Sequence, residues 1–197
     1  MHKTAGVLFF FSGSILLMGI LTAEIFYPVS YSISQNMVSN LGATPPPDSI
    51  VRQPSAFIFD NSLRIAGLLV LAGAYVLYKQ TKNKLVFPLF VMGFGTLGVG
   101  LFPAFHSIMH PIVALIAFLG GGVAAITTSK LIRPPFSTIT ILFGSISLIF
   151  LFLGLFFPNV IVPIMGRGGT ERWVLFPLIL WLTGFGGYLM NDTTKRK

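Results

Sequence analysis

Six long apolar runs dominate the chain, separated by short polar stretches. A helix needs about 20 apolar residues to cross a hydrocarbon core of ~30 Å. The pattern predicts spans over residues 4–27, 57–78, 85–105, 111–129, 136–157 and 171–190. The second span differs from the rest. Only 14 uncharged residues run from Ile65 to Tyr78, about 21 Å at the helical rise. To cross, that helix must begin near Phe57, which draws Asp60, Asn61 and Arg64 into the membrane edge. The fold expected is all-α: one polytopic membrane domain over residues 1–197, a bundle of six transmembrane helices.

Three hairpins face the same way and share a design. The first span ends at Tyr27-Pro28, the third at Phe102-Pro103 and the fifth at Phe157-Pro158. An aromatic residue at the interface and a proline that stops the helix recur in each. The return helices are expected to open on polar residues: Asp60 to Arg64, then His110, then Glu171-Arg172. Within the bundle, Ala117, Gly121 and Ala125 form a small-residue stripe suited to close helix contact. A seam between two copies of the chain is the alternative use for it.

Composition excludes a soluble fold. Apolar residues make up 54% and charged residues 9%, where a soluble domain carries about 25% charged residues. Mean hydropathy is +0.85. The net charge of +8 belongs to topology rather than to nucleic-acid binding. Lys3, Lys79, Lys82, Lys84, Lys130, Arg133, Lys195, Arg196 and Lys197 all fall on one side of the predicted spans. The opposite loops hold Arg52 and Arg167. Basic loops stay cytoplasmic, so both termini are expected inside a cell membrane. The first apolar stretch is too long for a signal peptide and is expected to be retained. With no cysteine, disulfides, iron–sulfur clusters and thiol catalysis are ruled out.

The ionisable groups of the membrane-embedded part gather at the other end: Glu24, Asp60, Arg64, His106, His110, Glu171 and Arg172. Charge at membrane depth is costly, so each is a functional candidate. Asp60 and Arg64 are four apart and share a helix face. Glu171 and Arg172 point about 100° apart on a helix and need separate partners. Arg64 or a histidine could serve Glu171; Asp60 or Glu24 could serve Arg172. The spacing of His106 and His110 suits two metal ligands on a helix, but prolines bracket them closely. No metal and no cofactor is expected. The 29-residue loop Pro28–Ala56 is long enough to cap this polar end, and its Pro45-Pro46-Pro47 favours an extended path.

The order of short motifs carries a resemblance. Ser39-Asn40-Leu41-Gly42, then Phe59-Asp60-Asn61 opening a helix, then Gly100-Leu101-Phe102-Pro103 with His110 soon after, then Glu171-Arg172, is similar to the six-span membrane family known as domain of unknown function 998. The resemblance covers almost the whole chain. In that family the residue at Asn40 is typically acidic; an amide stands here instead. The family's own distant likeness to six-span eukaryotic proteins of lipid remodelling and lipid distribution implies a lipid-related role.

Three function classes follow. The first is a non-enzymatic protein that binds a lipid headgroup, or serves as an accessory subunit of a membrane complex. Arg64 and Arg172 would meet the phosphate, with Asn61, His106 and Asn40 nearby. The second is a lipid-hydrolysing or lipid-remodelling enzyme with His110 as general base and Glu171 or Asp60 orienting it. The third is a proton-coupled transporter. It is disfavoured because the cytoplasmic half of every span lacks ionisable groups. Partners expected are membrane lipids, and with them other membrane subunits or a second copy of the chain, but no nucleic acid. The five site residues Asp60, Arg64, His110, Glu171 and Arg172 are expected to converge.

Overall fold

The computed structural model describes residues 2–191. Lys195, Arg196 and Lys197 of the charge asymmetry lie outside the described residues. Six helices make up the fold: α1 (Lys3–Ile25), α2 (Ser55–Thr81), α3 (Phe87–Leu101), α4 (Met109–Thr128), α5 (Phe136–Phe156) and α6 (Pro158–Met190). All six are long and apolar enough to cross a membrane once the short 3-10 turns beside α3 and α4 are included. No strand occurs among the described residues.

Each helix packs on the next in sequence, and α6 closes the ring on α1. From α2 onward, short connections force this order. Lys82 ends α2 in the left-handed conformation, φ 55°, and Asn83 then accepts a hydrogen bond from the Leu85 N–H to start the next turn. Pro135 precedes α5 directly. Pro158 stands at the first position of α6, where its missing N–H costs nothing. Helix α5 is the peripheral member. Only 22% of its apolar window is buried, against 44–50% for the others.

Two apolar clusters fill the ring. One, near the termini, centres on Phe9, Trp181 and Phe185. The other, at the distal end, joins Leu16, Ile20, Leu63 and Ile179 to Val38 and Leu41 of the long loop. That loop is therefore part of the core, anchored by the 3-10 turn Val38–Leu41. The small-residue stripe of α4 works within the chain. Ala117 meets Gly95 of α3, where a methyl group on the glycine would come within 2.3 Å of the Ala117 nitrogen. Gly121 faces Leu178 of α6, and Ala125 faces Gly144 of α5.

Helix α6 is longer than the hydropathy pattern predicts. It runs from Pro158 rather than from Glu171, with a break at Gly166 (φ 75°, ψ 166°). Arg167 consequently sits on a helix and not in a loop.

Candidate functional site

The break in α6 exists to admit the loop. A side chain at Gly166 would fall 2.0 Å from the Ser34 carbonyl oxygen, and one at Gly168 would fall 2.1 Å from that of Asn36. The Gly169 N–H donates to the Ser34 carbonyl at 3.1 Å. Main chain thus lies against main chain, and only glycine permits it.

Arg172, one turn further along, completes the grip. Its Nη1 donates to the carbonyls of Ile33 (2.7 Å), Asn36 (3.0 Å) and Gly168 (3.1 Å). Its Nη2 donates to Glu24 Oε1 at 2.6 Å and to the Tyr31 hydroxyl at 3.0 Å. Tyr31 in turn donates to the Met37 carbonyl at 2.9 Å. Burial pushes the Tyr31 phenol up to about 12, against the pull of the guanidinium, so it stays a donor at neutral pH. The Arg172 side chain is 7% exposed and borders neither of the two cavities described below. It ties α1, the loop and α6 together.

Glu171 takes hold of the same loop from another side. Its Oε2 accepts a hydrogen bond from the Val38 N–H, and the N–H and hydroxyl of Ser39 lie alongside. The two adjacent residues do point apart, as helical geometry requires. One holds carbonyls, the other holds N–H groups, and the loop is clamped between them.

Beyond this clamp a cleft of about 680 Å³ opens between α4, α5 and α6. This size is typical of small-molecule sites. Ser39, Asn40, Ser107, His110, Arg167, Thr170 and Glu171 form its polar part; Ala114, Phe118, Phe150, Leu151 and Leu155 are among its apolar walls. A smaller void of about 50 Å³ lies deeper, among apolar residues of α1, α2, α3, α4 and α6. Glu171 and His110 border both spaces. His110 Nδ1 lies 2.8 Å from the Phe102 carbonyl. A carbonyl can only accept, so Nδ1 carries the hydrogen and Nε2 of the neutral ring carries the lone pair. Asn40 Oδ1 is buried and has no hydrogen-bond partner.

The expected convergence does not occur as one network. Asp60 and Arg64 share a face, yet the one ion pair within 4 Å among the described residues is Arg172–Glu24. Arg64 donates from Nε to the Gly100 carbonyl at 2.7 Å and from Nη1 to Asn61 Oδ1 at 3.3 Å. It closes the α2–α3 contact. Asp60 is 9% exposed, and its Oδ1 has no partner. His106 lies against Phe105 with ring centres 4.2 Å apart and planes tilted by 36°, and it borders neither cavity. Among the described residues no three of His, Asp and Glu gather closely enough to hold a metal ion. The candidates therefore divide into three groups: Asp60, Asn61 and Arg64 at α2–α3; Glu24 and Arg172 at α1–α6; Asn40, His110 and Glu171 at the cleft. Arg167 and Thr170 join the last group without having been singled out in the sequence. The signal for Arg167 was its isolation, one of two basic residues in the predicted distal loops, amid Gly166-Arg167-Gly168-Gly169.

A family model described as "Protein of unknown function (DUF998)" matches residues 1–188. The chain belongs to the DUF998 family. The match takes in the six helices up to the last two residues of α6, the clamped loop and every lining residue of the cleft. No curated protein and no solved structure matches the chain.

Proposed function

We propose that this DUF998 protein binds a membrane lipid in the cleft between α4, α5 and α6. It acts by holding the lipid rather than by transforming it, alone or as a subunit of a larger membrane complex. The observation that carries this reading is the polarity of the cleft. Its polar groups lie at the distal end and its long walls are aromatic and aliphatic, which matches a headgroup followed by an acyl chain. The cleft also opens beside α5, the least buried helix, on the side where acyl chains are the solvent. With both termini cytoplasmic, the headgroup end lies in the outer leaflet of the cell membrane.

The test is lipid retention. Protein purified in mild detergent should carry about one phospholipid by native mass spectrometry. Ala114→Phe, which fills the cleft from α4, should lose it while melting near the parent temperature. A parent that carries no lipid, or an Ala114→Phe protein that keeps as much, would remove this reading.

One observation supports a second reading, a lipid hydrolase. The Phe102 carbonyl fixes the His110 tautomer and leaves Nε2 with a lone pair, as a general base needs, and Glu171 borders the same cleft.

A further inference from the structure

We infer that the cleft selects a phosphate-bearing lipid with a free hydroxyl between the phosphate and the chain, as in a monoacyl glycerophospholipid. This inference rests on the lipid-binding reading above and names its ligand class.

Three features follow one another down the cleft. At the distal rim is a cation. Arg167 is exposed, and no ion pair reaches it among the described residues. Its planar fork suits a phosphate. About one helical turn deeper is an unmet acceptor. His110 borders both the cleft and the void beneath it, as Glu171 does, and Glu171 lies four residues, about 6 Å, past Arg167 on α6. The bond to the Phe102 carbonyl uses His110 Nδ1 and its hydrogen. Nε2 has no protein partner among the described residues, and its lone pair can only accept. Glu171, by contrast, is already taken up by the Val38 N–H and by Ser39. Below His110 the wall turns apolar. Ala114 and Phe118 follow it at four-residue steps on one face of α4, and Leu151 of α5 and Val174 of α6 line the same space. From His110 to Phe118 is about 12 Å, close to the ~15 Å of one hydrocarbon leaflet.

The complement is therefore a phosphate, then a donor, then a chain. A lipid that enters with its chain inward holds its phosphate at the rim, and the atoms next below the phosphate are its backbone carbons. A diacyl phospholipid carries esters there and sets acceptors against the His110 acceptor. A monoacyl phospholipid carries a free hydroxyl at the second carbon and can donate it to Nε2. A sphingoid phospholipid also keeps a hydroxyl below its phosphate, beside two chains. Whatever lies beyond the phosphate points out past the rim, so choline and ethanolamine forms are held alike.

The experiment is a titration of delipidated protein in detergent, read by native mass spectrometry. Four choline phospholipids of matched chain length are compared: monoacyl, its 2-deoxy analogue, diacyl and sphingoid. The monoacyl lipid should bind about tenfold more tightly than the 2-deoxy and diacyl lipids, the worth of one hydrogen bond to an otherwise unmet acceptor. A sphingoid lipid as tight as the monoacyl one would show that the hydroxyl is read in either lipid; a weaker one singles out the monoacyl source. Arg167→Gln should weaken the monoacyl phospholipid to the level of a monoacylglycerol, which has hydroxyls but no phosphate. His110→Asn can keep a donor to the Phe102 carbonyl but has no acceptor where Nε2 stood, and should bind the monoacyl lipid and its 2-deoxy analogue equally. The 2-deoxy lipid makes the same test on the parent protein, so the outcome does not hang on the variant folding. If the parent binds the monoacyl lipid no better than its 2-deoxy analogue, or Arg167→Gln binds as the parent does, the assignment is overturned while lipid binding stands. If none of the lipids binds, or Ala114→Phe binds them as the parent does, the lipid reading itself fails.

Discussion

Arg172 is the residue on which the distal end depends. Its two terminal nitrogens meet three carbonyls, a phenol and a carboxylate. Arg172→Ala would leave Glu24 without its ion-pair partner and the loop carbonyls of Ile33 and Asn36 without this donor, a loss of about 3–5 kcal/mol for a buried pair broken on one side. Arg172→Lys keeps the charge but offers three donors from a single point, and should fall between the parent and Arg172→Ala in thermal unfolding. Equal melting of all three would show that the clamp is idle. Sequence reasoning reached part of this. It marked Arg172 as needing a partner and named Glu24 among two choices. It sought Arg64 or a histidine for Glu171, whereas the Val38 N–H serves. Side-chain types are visible in a sequence; the path that brings a loop's carbonyls and N–H groups to a helix is not.

Among the elements, α6 departs most from expectation. Gly166-Arg167-Gly168-Gly169 reads as a loop because glycine clusters punctuate helices. Here the glycines serve close approach instead, and helix continues through them apart from the break at Gly166. A β-carbon at Gly168 would meet the Asn36 oxygen at 2.1 Å, whereas at Gly187, on the same helix, nothing lies within 4 Å. Gly168→Ala should therefore release the loop: limited proteolysis between Ser30 and Asn36 should accelerate, and the melting temperature should drop. Gly187→Ala should leave cleavage unchanged and add up to about 1 kcal/mol through better helix propensity. Similar cleavage in both variants would separate the glycines from loop docking. The other five helices were legible to within a few residues, since their ends are set by prolines and by the limits of apolar runs.

For the whole molecule, hydropathy announced six spans and family motifs announced the family. Gathering the candidate charges at one end also followed from the pattern alone. Their division into three separate groups did not, because helix rotation about its own axis is decided by packing: Arg64 turns to α3, Arg172 to α1 and the loop, Glu171 to the 3-10 turn. Orientation rests on the basic loops. The chain has no cysteine, so single-cysteine variants report cleanly. Ser49→Cys, on the exposed part of the loop, should react with an impermeant thiol reagent on intact cells. Asn83→Cys, between α2 and α3, should react only after lysis. The reverse pattern would turn the cleft toward the cytoplasm.

The grip on the loop has a consequence for how this surface can change. Helix α6 touches residues 33–36 through the carbonyls of Ile33, Ser34 and Asn36 and through the Gln35 side chain beside Gly166, while the side chains of Ile33 and Ser34 face outward. At Ile33 and Ser34 what is recognised is the course of the chain and not its lettering. The exterior of the loop is thereby uncoupled from folding: it is free to diversify toward whatever lies outside the membrane while the seat beneath it, fixed by Gly166, Gly168 and Arg172, stays the same.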